Sequence, residues 1–567
     1  MVFDIEKPDL PAGLADGLGW PHIPNQKRAD IDDGNGIQPD ACEAGGEVYG
    51  IRHEPDGRRL PFWIPGAFSL PETYLLGIDL GAGSLKATLI TPEGVVKAEA
   101  GTPISTQMRR FGWAEQDPAE WYAALCRAVK QVLAGIEPGN IAGIGISAGA
   151  HIPVLTDAQG AVLRPAIMWS DQRAAEEAAE LHRRAGPEII AASLNRVNPT
   201  WTLAMLAWLR AHEPEVMARA KRLYLAKDFL RHCLTGTWET DYSDAVGALL
   251  ADDSAKGWSA ELAGLIGLDM AILPPIVAAA QIVGGVTAQA ASHTGLKAGT
   301  PVVCGANDTT VEFFGVGGNA PGMGGVKLAT AGVLFLATQG PEVHPPISCY
   351  PHIMPGMYYT ATGTNSCASA HRWVRDLMFA DGGFEAMDAL ASAAPRGAEG
   401  LLFHPYLQGE RAPYWDPLLR ADFIGMTMAH GKMHFARAVY EGIAFSIRDL
   451  LGAARELGLE FSTIRLMGGG AKSATWRQII ADVTGLVIER TEAGDASFGA
   501  ALVAGIGAGV FGSPEDAVAR CVRLLDVTKP QADASDFYDK LFRIYKEAQA
   551  ALAGLNHKLH GLVAGEL

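Results

Sequence analysis

Residues 74–91 read YLLGIDLGAGSLKATLIT, and VVKAEA follows at 95–100. YLLGID has the continuous apolar character of a buried strand, and KATLIT and VVKAEA supply two more. Thr91-Pro92-Glu93-Gly94 carries the proline and glycine of a tight turn. Three consecutive strands on short turns predict an antiparallel meander. Asp117 and Pro118 then predict the cap and first turn of a helix over about Pro118–Leu133. IAGIGISAG (141–149) reads as a short apolar strand, and helices are expected at Arg173–Arg184, Leu203–Ala211 and Ala226–Leu234.

A second glycine-rich, strand-rich region opens near Pro301 with PVVCGAND, GGVKLATAGVLFLAT and YYTATGT. Here KLAT and VLFLAT flank Ala331–Gly332 as YLLGID and KATLIT flank Gly81–Ser84. The same plan met twice predicts an α/β protein of two similar domains facing each other. The linker-like NAPGMGG places the boundary near residue 320. The expected division is an extension at 1–72, a first domain at 73–320 and a second at 321–567. Residues 1–72 are rich in Pro, Gly and Asp, with apolar islands at Tyr49–Ile51 and Leu60–Ile64 but no lasting period. They read as a surface-wrapping or partly disordered extension without chemistry of its own.

Composition narrows the class. The 567 residues exceed one average domain of about 100–200 residues. Hydrophobic residues make up 48% and charged residues 19%, which excludes wholesale disorder. The net charge of −17 argues against a nucleic-acid partner and against a basic membrane-surface mode. The seven cysteines form no C-x-x-C pair, so neither a zinc cluster nor a disulfide framework is expected. The longest apolar stretches, Ala271–Val286 and Phe498–Phe511, are interrupted or short for a bilayer and are expected to pack inside. The N-terminus lacks a signal-peptide pattern, so a cytoplasmic protein is expected.

Several motifs carry chemistry. In Asp79-Leu80-Gly81-Ala82-Gly83-Ser84-Leu85-Lys86, glycines let backbone N–H groups approach a phosphate, Ser84 adds a hydroxyl and Lys86 a positive charge. Asp79 suits hydrated Mg²⁺, an ion that takes few carboxylates and several waters. An ordinary hairpin with a surface lysine is the competing reading. Thr330-Ala331-Gly332 sits at the matching place in the second half. Gly468-Gly469-Gly470-Ala471 lies between the strand IRLM and a helix over about Ala474–Thr484, and its glycines exceed what a turn needs. Asp241 and Asp244 in TDYSD are spaced for general-base and orienting work, or for a solvated loop. His151 ends the stretch SAGAH. Gly507–Gly512 matches G-x-G-x-x-G but lacks a ribose-binding acid downstream, which disfavours a nicotinamide dehydrogenase.

These segments resemble the FGGY family of carbohydrate kinases, and most closely its xylulose-phosphorylating branch. GIDLGAGSLKATLI, GWAEQDP, GISAGAH, IMWSDQR, AKDFLRHCLTG, TDYSDAVG, GANDTT, LATAGVLF, FHPYLQGERAPYWDP, GGGAKSATWRQIIADVTG and DASFGAAL run in family order over about 74–510. The resemblance implies two ribonuclease-H-like domains of the actin-type ATPase superfamily flanking a cleft. It implies ATP-dependent phosphorylation of a small-molecule sugar, with ATP and Mg²⁺ as cofactors and a homodimer as a common assembly. By matching position, Asp241 would be the catalytic base and Asp79 would serve magnesium. Gly81, Ser84, Lys86, Thr330 and Gly332 would meet the phosphates, and Gly468, Gly469, Gly470 and Ala471 the adenosine. Ala150 and His151 would contact sugar, with Asp241 and Asp308 nearby. An ATP-driven machine of the same superfamily would need no sugar-side base, and Asp241 in its full TDYSD context argues against that reading. The sugar loop departs from the family's usual S-G-Q-M-H at Gly149 and Ala150. Lost volume and a lost amide there lead to the expectation of a roomier, less selective pocket.

Overall fold

The apolar run at 74–80 forms β1 (Tyr74–Leu80), and the meander continues through β2 (Ser84–Ile90) and β3 (Val96–Pro103). The computed structural model describes residues 72–379 and 382–564, and the backbone of 41–44, 47–53 and 59–63. Two compact units divide the chain, Met1–Glu72 and Thr73–Leu567.

In the first unit, Ala41–Ala44, Glu47–His53 and Arg59–Trp63 pair in that order as an antiparallel sheet. Although no lasting period is legible there, Tyr49–Ile51 and the Leu60–Trp63 part of the second apolar island lie on these strands. The rest of 1–71, and with it the expected surface wrap, lies outside the described residues.

In the second unit, the two expected sheets share one topology. The first has the order β5-β4-β1-β2-β3, with β4 (Ile141–Ala148) parallel to β1 and β5 (Pro301–Val303) parallel to β4. Ile282–Gly285 adds an antiparallel edge. The second has the order β8-β7-β6-β9-β10, built from β6 (Met323–Leu328), β7 (Gly332–Thr338), β8 (Tyr358–Gly363), β9 (Thr463–Met467) and β10 (Val487–Thr491). Here too an antiparallel meander is extended by two parallel strands. Ser348–Pro351 and Leu524–Thr528 close its edges.

The helices that matter for the site are α1 (Pro118–Val132), α2 (Ala226–Thr235), α3 (Tyr242–Gly247), α4 (Asp308–Gly315), α5 (Ala474–Thr484) and α6 (Ala496–Gly507). As its sequence indicates, α1 starts at Asp117, whose side chain accepts from Ala119 N at 2.9 Å. Its buried stripe includes Trp121, Leu125, Val129 and Val132, at helical spacing. Trp121 Nε1 donates to Gln116 Oε1 at 2.8 Å, and Gln116 Nε2 donates to Ala82 O at 2.7 Å. The core of the first half therefore braces the Gly81–Ser84 turn. The helix expected to stop at Arg184 does break there: Ala185 is non-helical, and a second helical stretch carrying Pro187 follows to Ser193. Ala271–Val286 is only partly buried and breaks into short pieces, contrary to expectation.

Phe498–Phe511 does pack inside. Its first ten residues belong to α6, which lies against β1, β4 and α4. The approach is backbone to backbone. A Cβ at Gly77 would sit 1.8 Å from Ser497 O, one at Gly145 2.1 Å from Ala500 O, and one at Gly499 1.9 Å from Val311 O. No rotamer change relieves a clash with a carbonyl. Gly77→Ala is therefore expected to destabilise by about 3 kcal/mol or more. Gly101→Ala on β3, where a Cβ meets nothing within 4 Å, should stay within about 0.5 kcal/mol of the natural protein. Urea unfolding of both variants checks this, and equal midpoints would refute the backbone contact.

Candidate active site

The C-terminal end of β1 carries the first group. Asp79 pairs across the sheet with Lys86 on β2 and Ser147 on β4, and Ser147 Oγ donates to Asp79 Oδ1 at 2.8 Å. Burial, reinforced by the negative charges of Asp308, Asp495 and Glu312, pushes the Asp79 carboxyl up to about 8. Two lysines answer this acidic patch. Lys327 on β6 binds Glu312 Oε2 at 2.7 Å. Lys86 binds Asp495, the cap of α6, and Glu99 Oε1 at 2.6 Å. Burial opposes the Lys86 charge, but Asp495 and Glu99 more than offset it and raise the ammonium's pKa. Lys86 thus reaches across to the second half, and its ammonium is already paired. The turn residues beside it, Ala82, Gly83 and Ser84, are exposed, and Gly81 is partly so.

The matching turn of the second half is also near the surface. Thr330 is exposed, while the Gly332 N–H is already donated to Thr364 Oγ1 at 3.1 Å. The three-glycine turn leans on the same strand. Gly468 has φ +81°, and a Cβ there would sit 2.7 Å from Leu328 O. A Cβ on Gly470 would meet Leu328 and Trp476 at 2.8 Å. Two of the three glycines are therefore required by local packing, and Ala471 is buried. Gly469 is open and exposed.

The sugar-side residues converge around α3. Asp241 caps this helix through Oδ2, which accepts from Ser243 N at 2.8 Å and Ser243 Oγ at 2.5 Å. Asn307, the cap of α4, donates its N–H to Ser243 Oγ at 3.4 Å. Asp308 follows in the first turn of α4, where burial raises its pKa against the opposing pull of Lys327 and of the Thr309 and Ala150 amides. His151, at φ +72°, lies at the other end of α3, with Nδ1 2.6 Å from Gly247 O. A carbonyl accepts only, so Nδ1 carries the proton and Nε2 accepts from Tyr350 OH at 2.9 Å. Burial pulls the His151 pKa down to about 4, so the ring is neutral. Ala150, His151, Asp241 and Asp308 are thus brought together, with Asp79 one strand away.

Some neighbours were not singled out from sequence. Trp201 stacks on His151 with ring centroids 4.1 Å apart, and Tyr350 comes from the second sheet. Lys227 lies against Asp241. Only Lys227 left a trace: Lys227, Asp228 and Arg231 put charge on a helix whose apolar residues also face inward. The space beside Gly149 is not empty either. A Cβ there would meet Trp169 Cδ1 at 3.3 Å and Ile152 Cδ1 at 3.5 Å. The expected extra room at this position is therefore partly taken by Trp169.

Comparison with known proteins agrees with this architecture. Residues 74–315 match the N-terminal domain of the FGGY family of carbohydrate kinases, and 330–508 match its C-terminal domain. The xylulose kinase of Bacillus subtilis (strain 168) is 32% identical over 492 residues, covering 86% of this chain and 98% of that protein. The crystal structure of xylulose kinase from Rhodospirillum rubrum superimposes with a TM-score of 0.77 at 28% identity, covering 85% of this chain and all of the other. That of gluconate kinase from Lactobacillus acidophilus gives 0.80 at 25% identity, covering 86% of this chain and all of the other.

The neutral His151 makes a pH signature. Its folded pKa of about 4 lies below the ordinary histidine value of about 6.5, so the unfolded chain binds the proton more readily. Its stabilising contribution is complete above that value and is lost as pH falls towards 4. His151→Asn keeps a residue that tolerates positive φ but cannot titrate. It should be less stable than the natural protein at pH 7.5, and the gap should narrow steadily from pH 6.5 to 4.5. Urea midpoints across that range provide the check, and a constant gap would contradict the neutral buried ring.

Proposed function

The chain belongs to the FGGY family of carbohydrate kinases and is a sugar kinase, and from that premise we propose that it transfers the terminal phosphoryl group of ATP to the terminal hydroxyl of D-xylulose, giving D-xylulose 5-phosphate. The observation that carries this reading is the convergence of Asp241, His151 and Asp308 within one strand of the Asp79–Lys86 hairpin. A sugar hydroxyl and a terminal phosphate held on those two sides would meet between them.

Phosphoryl transfer asks for positioning and charge neutralisation. The Gly81–Ser84 and Thr330–Gly332 turns would hold the phosphates, and Gly468–Ala471 the adenosine. Lys86 would exchange its bond to Asp495 for a phosphate oxygen. Asp241 would accept the proton of the attacking hydroxyl. Its Oδ2 is occupied by Ser243, so Oδ1 is the accepting atom. Asp79, half-buried beside Asp308, Glu312 and Asp495, fits Mg²⁺, because a dication would offset both the burial and the neighbouring negative charges that raise its pKa. When bound, the ion would offset the negative charge of the transferring group.

A second reading, a kinase of another ketose or a polyol, is favoured by Gly149 and Ala150 alone. The Trp169 indole beside Gly149 weighs against it by refilling part of that space.

We expect ADP release to depend on D-xylulose, with the highest kcat/KM in a panel of pentuloses, hexuloses, polyols and glycerol. A different best acceptor would replace the first reading with the second. Asp241→Asn should lower kcat by about 10²–10⁴-fold while sugar binding persists. Normal turnover in the folded variant would remove Asp241 from the base role.

A further inference from the structure

Helix α2 buries charge on its inward face. Lys227, Asp228 and Arg231 are at most 1% exposed. Lys227 Nζ lies 2.5 Å from Asp228 Oδ1, 3.0 Å from Asp241 Oδ1 and 3.1 Å from Asp244 Oδ2. Arg231 Nη1 donates to the same Asp228 Oδ1 at 2.7 Å and also to Cys304 O at 3.0 Å. Asp228 therefore has two cations. Among the described residues, Asp241 and Asp244 have Lys227 as their one ion-pair partner.

The arrangement is lopsided in a way that a space-filling ion pair does not require. Asp241 Oδ2 is fixed twice, by the amide and the hydroxyl of Ser243. Asp241 Oδ1 is buried and takes no hydrogen bond, although the ammonium stands 3.0 Å away. One carboxylate oxygen is thus locked, and the other keeps a lone pair under an electrostatic restraint. Sequestering an ammonium from water is strongly unfavourable unless several acceptors surround it. Here three carboxylates do so, and they overcome the effect of burial to raise the Lys227 pKa well above its ordinary value. Burial, together with the charges of Asp241 and Asp228, raises the Asp244 pKa despite the nearby lysine.

We infer that Lys227 is the positioning residue for Asp241, fixing the carboxylate torsion so that Oδ1 faces the attacking hydroxyl with a free lone pair and balancing its negative charge. The inference rests on the reading of Asp241 as the base. Lys227 need not touch sugar or nucleotide to act in this way. A lysine with a merely structural role would matter through folding, and Asp228, which binds the same ammonium but not Asp241, would then matter equally.

Three variants separate these roles: Asp241→Asn, Lys227→Met and Asp228→Asn, each assayed with Mg·ATP and D-xylulose beside a sugar-binding measurement. Lys227→Met should lose roughly 10²-fold or more in kcat, on the scale of a lost general base, while its sugar affinity and its KM for ATP change little. Asp228→Asn should keep most of its turnover despite cutting the same buried cluster. Near-natural kcat in Lys227→Met, or parallel losses in Lys227→Met and Asp228→Asn, would overturn the inference. An inactive Asp241→Asn beside an active Lys227→Met refutes the lysine's role alone, whereas an active Asp241→Asn refutes the base reading beneath it. Because Lys227→Met leaves carboxylates without a cation, Lys227→Met with Asp244→Asn is measured as well. It removes one group from each side of the cluster, and the loss of kcat should persist in it. Recovered turnover in that double variant would count against the inference.

Discussion

The structure depends on a joint in which a helix of the second half lies directly on the sheet of the first. Gly77 on β1 and Gly145 on β4 leave no side chain between the sheet and α6, and Gly499 lets α4 cross the same helix. Contact of this kind is unforgiving, since backbone atoms cannot change rotamer to make room. It is also where the proposed site residues are anchored. Asp79 is the penultimate residue of β1, β4 leads into Ala150 and His151, α4 begins with Asp308, and α6 is capped by Asp495. Thr88 and Ser497 bond across the joint at 2.7 Å, on the strand that also carries Lys86. A small displacement of α6 would therefore shift groups on both sides of the reaction together.

Electrostatics adds a second constraint. The chain carries a net charge of −17, yet its activity calls for binding a polyanion. Overall charge opposes that encounter, so local charge must do the binding. The patch around Asp79 is itself acidic, with Lys86 and Lys327 the lysines bound into it. Both are paired with carboxylates. On the proposed reading, nucleotide phosphates and a divalent ion would enter a site whose charges are already arranged in opposed pairs, and binding would be an exchange of partners.

Local signals were legible in the sequence, and distant contacts were not. The β1–β2 hairpin, the Asp117 cap and α5 (Ala474–Thr484) follow from patterns a few residues long. Asp79, His151, Asp241 and Asp308 stand out as candidates because each lies in a short motif. Gly77 and Gly145 were different. A glycine in a strand reads as a turn or a ligand approach, and only the packing of α6, more than 350 positions away, explains these two. Residues 41–63 are so rich in turn-forming types that strand pairing left no period to read. Lys227 and Tyr350 are hard to read for a related reason, since their significance lies in partners on other elements. Asp241 follows Lys227 on a separate element, and His151 stands 199 positions before Tyr350.

On the proposed reading, that last contact would tie sugar recognition to the relation between the two halves. Nδ1–H of His151 is committed to Gly247 O, which leaves Nε2 as the ring's acceptor. The hydroxyl of Tyr350 already donates to it from the second sheet. A sugar hydroxyl that donates to His151 must compete with Tyr350 for this one lone pair. If the sugar wins, Tyr350 loses its partner in a buried site, where an unpaired hydroxyl is costly. The second half must then shift, or the Tyr350 hydroxyl must turn to the sugar itself. Either outcome couples sugar occupancy to the half of the molecule that carries the three-glycine turn. A kinase benefits from such coupling, because a site completed only when the acceptor is present wastes less ATP on water.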